Sequence, residues 1–194
     1  EVGHIAFEDL SLAVYSETGH KLLAIETQKT EKPAMPEAAK PAFSPEETPT
    51  CEQLYLTGLH LEQYRHATYN AADYYHEALK RDPSDVRNNN AMGLWLFRRG
   101  KFAASEKYFK AAVDTQLQRN PNPYDGEPLY NLGLSLKFQG KTREAYDRFY
   151  KSCWNAAMQD AGYLSCAQIS CINQNYSDAL HEVDKSLVRN WHNH

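Results

Sequence analysis

Small residues that recur every 34 to 40 positions are the feature that most constrains how this chain can fold. In each of four units a small residue inside an apolar stretch is followed by a second small residue, and a large apolar residue stands four positions later. The first small residues are Gly58, Gly93, Gly133 and Ala167, the second are Ala71, Ser105, Ala145 and Ala179, and the large ones are Tyr75, Phe109, Phe149 and Val183. Such a period is typical of chains that stack one supersecondary unit on the next.

Each unit predicts two helices. After Thr50 the apolar residues follow a helical period, and this predicts eight helices of about 12–18 residues. The predicted breaks lie near residues 65–68, 82–85, 100, 120–126, 140, 160–162 and 173–176. The small residues allow the two helices of a unit to approach closely, and the aromatic residues fill the space between layers. Pro83 is expected to end the second helix of the first unit.

These units resemble tetratricopeptide repeats, in which about 34 residues form a helix–turn–helix. The resemblance covers residues 51–190 and implies an all-α fold, a right-handed α-solenoid of about four helical hairpins. The predicted helical domain spans residues 50–194, with repeats at 51–84, 86–119, 126–159 and 160–193. The fourth repeat is the weakest, because no glycine marks its inner turn. Either Trp191 caps it or further repeats follow, and we expect further repeats.

The first 49 residues follow a different pattern. Residues 1–28 predict a β-hairpin, because Leu10–Tyr15 alternates with period two, Gly19 lies in a turn signal, and Lys21–Thr27 returns. One hairpin is marginal alone, so it either docks on this chain or is the remnant of an upstream β-domain. We expect the remnant, since a start without Met suggests an excised piece. Residues 29–49 hold five of the nine prolines and predict a Pro/Glu-rich linker.

Charge and composition narrow the function classes. The net charge is −4, divided into −5 over residues 1–50 and +1 over residues 51–194, which argues against a nucleic-acid or membrane partner. No apolar run approaches the ~18 residues that span a bilayer. Four cysteines in 194 residues do not make a disulfide scaffold, and the chain lacks a signal-peptide pattern at its start. We therefore expect a cytoplasmic protein.

Motifs of catalysis and of cofactor binding are absent from the sequence, which contains no P-loop, dinucleotide fingerprint, zincin motif or nucleophile elbow. Cys153, Cys166 and Cys171 are interpreted as buried small apolar residues, because a metal site requires tighter convergence and a fourth ligand. The sequence thus predicts no catalytic residues, no metal, no cofactor and no enzymatic activity for this chain.

The resemblance implies a concave groove lined by the first helices. By repeat position, a leucine stripe runs along this groove, aromatic residues flank it, and basic residues form its edge. The predicted binding residues are Tyr55, Leu59, Arg87, Asn90, Leu94, Phe97, Arg98, Tyr130, Leu134, Lys137, Phe138 and Gln168. Some tetratricopeptide proteins clamp a carboxylate terminus with Lys and Asn at two of these positions. Here those positions hold other residues, so that clamp is not expected.

The predicted function is a non-catalytic scaffold that binds a protein or a peptide through the groove. The sequence leaves three hypotheses for the groove. It binds a partner in trans, it is covered in cis by the linker or the parent's N-terminal domain, or tight curvature of the solenoid buries it. An alternative resemblance is to the tail of large bacterial proteins that join a galactose-mutarotase-like β-sandwich to tetratricopeptide repeats. This chain would then be the accessory module of a carbohydrate-binding or carbohydrate-active enzyme. Self-association into a homo-oligomer is a third hypothesis.

Overall fold

A computed structural model describes residues 9–26, 35, 37, 38, 40–64 and 67–192, and the chain divides into two units, residues 1–41 and 42–194. The first unit contains an antiparallel hairpin of β1, Ser11–Tyr15, and β2, Lys21–Glu26. Gly19 has φ of 84° in the turn, a conformation that glycine adopts without strain. The predicted hairpin is confirmed, and its assignment to an upstream domain stays a prediction.

The register of the hairpin places aliphatic side chains opposite each other on one face. Leu12 pairs with Ile25, and Val14 pairs with Leu23. All four are exposed. Because a two-stranded sheet is marginally stable alone, this aliphatic face requires a partner surface.

The second unit consists of eight α-helices in the described residues, arranged as four successive helical hairpins in a right-handed α-solenoid. The helices are α1 Cys51–Tyr64, α2 Ala71–Arg81, α3 Val86–Phe97, α4 Phe102–Arg119, α5 Glu127–Phe138, α6 Thr142–Ser152, α7 Gln159–Ile172 and α8 Tyr176–Arg189. The helices of each pair contact one another, each second helix contacts the first helix of the next pair, and α3 contacts both α1 and α5. The predicted fold class is confirmed.

Local signals set many of the helix ends. Asn70 and Asp85 cap α2 and α3, since their side chains accept from the amides of Ala72 and Asn88. Gly100 and Gly140 follow α3 and α5 with φ of 72° and 77°, and they supply the left-handed residue that ends these helices.

Three glycines lie against aromatic rings of the facing helix, as the repeat pattern predicts. A Cβ added to Gly58 would lie 2.4 Å from Tyr75, and one added to Gly93 would lie 2.5 Å from Phe109. A Cβ on Gly133 would lie 2.7 Å from the Phe149 ring. The rings of Tyr75, Phe109 and Phe149 are fully buried. The small residue and the aromatic residue of each unit therefore form one packing contact.

The connection between α6 and α7 differs from the prediction. The expected break at residues 160–162 is wrong, because α6 ends at Ser152 and a 3-10 turn at Ala156–Met158 leads into α7. Gly162 lies inside α7, where an added Cβ would lie 2.5 Å from the Cys153 sulfur. This glycine allows close packing of α7 on the end of α6, a tertiary contact that has no local signature.

Residues 42–49, here called the strap, lie on α2. The guanidinium of Arg81 donates to the carbonyls of Thr48 at 2.6 Å, Pro45 at 3.1 Å and Glu46 at 3.2 Å. Tyr74 donates its hydroxyl proton to the carbonyl of Phe43 at 2.8 Å. The last part of the predicted linker therefore has a fixed position along the second helix of the first pair.

Candidate functional site

The predicted groove residues share one surface because the first helices of successive pairs lie side by side. Polar contacts connect neighbouring first helices across this surface, and four of them follow the repeat spacing. They are Glu52 to Arg87, Glu62 to Arg98, Asn90 to Glu127, and Lys137 to Gln168. Each contact joins residues 31 to 37 positions apart, which is one repeat. We call this surface, with the twelve predicted residues, the first-helix face.

A row of half-buried leucines follows the middle of the first-helix face. Leu59, Leu94 and Leu134 are neither fully buried nor fully exposed. Leu94 and Leu134 pack with one side against the core around Phe109 and Phe149. The leucine row therefore belongs to the core on its inner side and offers apolar surface on its outer side.

Aromatic side chains lie along one side of this row. The rings of Phe97, Phe102 and Phe138 form a cluster, with centroids separated by 5.2 Å, 5.5 Å and 4.9 Å. Phe138 is 59% exposed although it stacks on Phe102. Phe102 begins α4 and was not among the predicted site residues. It stands at the same place in its unit as Thr142, so no shared repeat position singled it out.

Tyr130 lies on the other side of the row and packs against Phe149 at 5.4 Å between ring centroids. Its ring is half-buried. Tyr55, another of the predicted residues, is half-buried under the Arg87 guanidinium, 5.2 Å from the ring centroid. Both tyrosines thus act as packing surfaces with one open side.

The basic edge is neutralised. Arg87 is exposed but forms an ion pair with Glu52, and Arg98 pairs with Glu62 at 3.2 Å. The hydrogen bond with Glu52 raises the pKa of Arg87 above its ordinary value. Both arginines of the predicted basic edge are therefore paired, because acidic residues one repeat earlier occupy the adjacent positions. Lys137 donates to the side-chain oxygen of Gln168 at 2.5 Å, a neutral acceptor.

A buried amide cluster connects the second and third pairs. Asn131 is 5% exposed and donates to Asn90 at 3.0 Å and to Glu127 at 3.3 Å. Asn90 in turn donates to Glu127 at 3.1 Å. Asn131 was missed from the sequence, since an isolated asparagine in an apolar helix carries no signal of its partner.

The fourth pair contributes Gln168 to the first-helix face. Gln168 and Cys171 are both exposed. The prediction that Cys171 is buried is therefore wrong, whereas Cys153 and Cys166 are buried as predicted. Ile172 is 65% exposed.

Within the described residues no group of three or more His, Cys, Asp or Glu side chains could hold a metal ion. In the same part of the chain, no helix is long and apolar enough to cross a membrane.

Known structures share this architecture. The backbone is similar to a crystal structure of MamA, with a TM-score of 0.61 over 72% of this chain and 77% of that chain, at 16% identity. A MamA fragment from residue 41 to its end, from Desulfovibrio magneticus RS-1, matches with a TM-score of 0.60 at 15% identity, covering 76% of this chain and 79% of that chain. MamA is a tetratricopeptide-type helical protein, so the present fold is a tetratricopeptide-type solenoid. No protein-family sequence model matches the chain.

Proposed function

We propose that this chain is a non-catalytic scaffold, acting in the cytoplasm, that binds a protein or peptide segment on the first-helix face. A tetratricopeptide-type solenoid supports this class of function, since stacked helical hairpins present an extended surface to partners. The face has the anatomy of a peptide groove, with an apolar row in the middle and paired polar groups at its borders.

The observation that carries the proposal is the phenylalanine cluster beside the leucine row. Phe138 leaves 59% of its surface exposed although its ring contacts Phe97 and Phe102. Aromatic residues next to a desolvated apolar pocket are the residues that dominate binding energy at interfaces. Because Arg87 and Arg98 are already paired, the partner is expected to carry apolar anchor residues and little net charge.

A random-peptide display selection against the full chain tests the proposal. Peptides selected on the natural chain are titrated against Phe138→Asp and Leu59→Asp, with Leu180→Asp as the control. Leu180 is 69% exposed on α8, outside the first-helix face. We expect at least roughly tenfold weaker binding to the first two variants and unchanged binding to the control. Equal binding to all folded variants would overturn the proposal.

The same peptides distinguish a partner in trans from an occupant in cis. The strap lies on α2, so residues 42–49 contact the second helix of the first pair. If residues upstream of the strap or the parent's N-terminal domain occupy the face, deleting residues 1–41 raises the affinity for the selected peptides. Unchanged affinity excludes an occupant within residues 1–41.

The N-terminal hairpin favours a second role, that of an accessory module. Its aliphatic face, formed by Leu12, Val14, Leu23 and Ile25, is 45% to 62% exposed and is suited to packing against another sheet. We propose that this face belongs to a β-domain of the parent. The carbohydrate-active character of that parent stays a hypothesis from the sequence resemblance. Fusion of the chain to a candidate β-domain should protect the β1 and β2 amides from hydrogen exchange. Unchanged exchange would refute the proposal that the aliphatic face packs on that domain.

Self-association through the C-terminal edge also stays a prediction. Tyr176, Leu180 and Val188 on α8 are 63% to 81% exposed, an apolar surface suited to stacking on a second copy. Leu180→Asp should abolish such a contact, and sedimentation velocity would detect the change in mass.

A further inference from the structure

Two long connections at one edge of the solenoid border an open cavity of about 590 Å³, and none of the twelve residues of the first-helix face lines it. One connection, residues 120–126, lies between α4 and α5 and contains the six residues that lengthen the repeat spacing. The other, residues 153–158, lies between α6 and α7. Insertions in repeat proteins concentrate on loops of one face, which is often a binding face. The principal lining residues are Asn122, Pro123, Tyr124, Asp125, Trp154 and Asn155.

The two walls of this cavity are braced against each other. Lys151 donates to the side-chain oxygen of Asn122 at 2.7 Å, and its ammonium lies 3.8 Å from the centroid of the Trp154 ring. The side-chain amide of Asn155 donates to the carbonyl of Tyr124, and its oxygen accepts from the amide of Ala157 at 3.0 Å. These contacts fix the Trp154 ring and the backbone at Tyr124 before any ligand arrives, which reduces the entropic cost of binding.

The lining defines the chemistry of a ligand. Tyr124 is 96% exposed and Trp154 is 63% exposed, so two aromatic faces flank the cavity without a role in the core. Ridges of Tyr and Trp bind polyproline II segments, whose preformed backbone loses little entropy and offers unpaired carbonyls to donors such as the indole N–H. Asp125 adds a carboxylate at the rim, which is complementary to a lysine beside the prolines.

The chain itself contains a segment of this chemistry. Pro33 and Pro36 have P-x-x-P spacing, and Lys32 and Lys40 flank them. We propose that the cavity binds this proline-rich segment, residues 32–41, from a second copy of the chain.

A second copy is favoured because of where the strap enters. Phe43 is held by Tyr74 in the first half of α2, whereas Arg81 at the end of α2 holds Pro45 to Thr48. The strap thus runs along α2 toward the edge at which the second helices end, so Phe43 lies nearer the opposite edge. The cavity follows the ends of α4 and α6, at the edge where the strap ends rather than at the edge near Phe43. A segment supplied by a second copy is not tied to the position of Phe43.

The test uses a synthetic peptide of residues 30–42 and the full chain carrying Pro33→Ala and Pro36→Ala, so that the tethered segment does not compete. Calorimetry should detect binding of the natural peptide and at least roughly tenfold weaker binding of the peptide with the same two substitutions. Trp154→Ala or Tyr124→Ala in the host should also weaken binding at least roughly tenfold. Tyr64→Ala is the matched control, because Tyr64 is 72% exposed on α1, outside the cavity.

Sedimentation velocity completes the test. All chains carry Leu180→Asp, so that stacking through α8 does not contribute to the mass. The mass of this chain should rise with concentration, and the rise should disappear when Trp154→Ala or Pro33→Ala/Pro36→Ala is added but persist with Tyr64→Ala. No peptide binding at millimolar concentration, equal binding of both peptides, or a Leu180→Asp chain that stays monomeric would overturn the proposal. Binding of a soluble oligosaccharide such as maltohexaose, without the peptide, would likewise overturn it.

Discussion

At the residue scale, the contact between a small residue and a ring is the unit from which the solenoid is built. Gly133 faces the ring of Phe149, which is fully buried and cannot move away. Gly133→Ala improves helix propensity but places a methyl group inside the contact distance of the ring. We expect the free energy of unfolding to fall by about 1–3 kcal/mol, measured by urea denaturation.

Phe149→Leu provides the control for this contact. The smaller side chain opens the space that the methyl group added by Gly133→Ala requires, so the two substitutions should be less than additive. If Gly133→Ala alone unfolds at the same urea concentration as the natural chain, the contact between the glycine and the ring is not tight.

Gln174 takes the place of a glycine in the weakest unit. It has φ of 63° after α7, where Gly100 and Gly140 stand in the two preceding units. A residue with a side chain in this conformation costs about 1–2 kcal/mol. Gln174→Gly should therefore stabilise the chain by about 0.5–1 kcal/mol in urea unfolding. Gly140→Ala is the reciprocal control and should destabilise, although no atom lies within 4 Å of an added Cβ. Equal stability of all three chains would contradict this account.

Glu106 gives the fold a pH dependence. Burial by itself raises the pKa of this carboxyl, but hydrogen bonds from Lys110, Lys141 and Gln139 outweigh burial and lower the pKa from 4.5 to about 2. The folded-state pKa therefore lies below that of the unfolded chain. Glu106 stabilises the fold above about pH 4.5, and this contribution is lost as the pH falls toward 2.

Glu106→Gln tests this dependence. At pH 7 the variant should be less stable by about 2 kcal/mol, because two ammonium groups lose their acceptor. The difference from the natural chain should shrink between about pH 4.5 and 2 in urea unfolding. Asp114→Asn, on the exposed side of the same helix, should show no such trend. A difference that is independent of pH would rule out this role for the carboxylate.

At the element scale, the strap and α2 behave as one element through Arg81. Arg81→Ala removes four hydrogen bonds to strap carbonyls, and the released strap should expose its backbone. The amides of Glu47 and Thr48, which both donate to the carbonyl of Ser44, should exchange roughly tenfold faster in hydrogen-exchange mass spectrometry. Lys80→Ala is the neighbouring control, since Lys80 contacts only Glu77 among the described ion pairs. Equal exchange in both variants would show that Arg81 does not hold the strap.

At the scale of the whole molecule, the two ends of the solenoid are unequal. The first pair carries the strap on α2, whereas α8 packs chiefly on α7 and leaves Tyr176, Leu180 and Val188 exposed. In a linear array each unit is stabilised by its neighbours, so α8, which has one substantial neighbouring helix, opens before α1, which contacts both α2 and α3. We expect the amides of α8 to show the lowest protection of the eight described helices in native-state hydrogen exchange.

Tyr146→Phe extends this prediction. Tyr146 donates to the buried Glu182 of α8 at 2.5 Å, so its loss should lower the protection of α8 and leave α1 and α2 unchanged. Tyr150→Phe, with an exposed ring on the same helix, is the control. Protection in α8 equal to that in α5 would contradict the linear description.

The four helical hairpins, the glycine–ring contacts and the N-terminal β-turn could all be predicted from the residues alone. These features depend on residues within about one repeat of each other, so local periodicity and turn residues report them. Other features emerged only from the three-dimensional fold. They are the ion pairs of Arg87 and Arg98 with acidic residues of the preceding repeat, the packing of Gly162 inside α7, the path of the strap along α2, and the cavity between Tyr124 and Trp154. The partners in these contacts come from different helices or connections. Their meeting depends on the rise and rotation from one hairpin to the next, which no local pattern encodes.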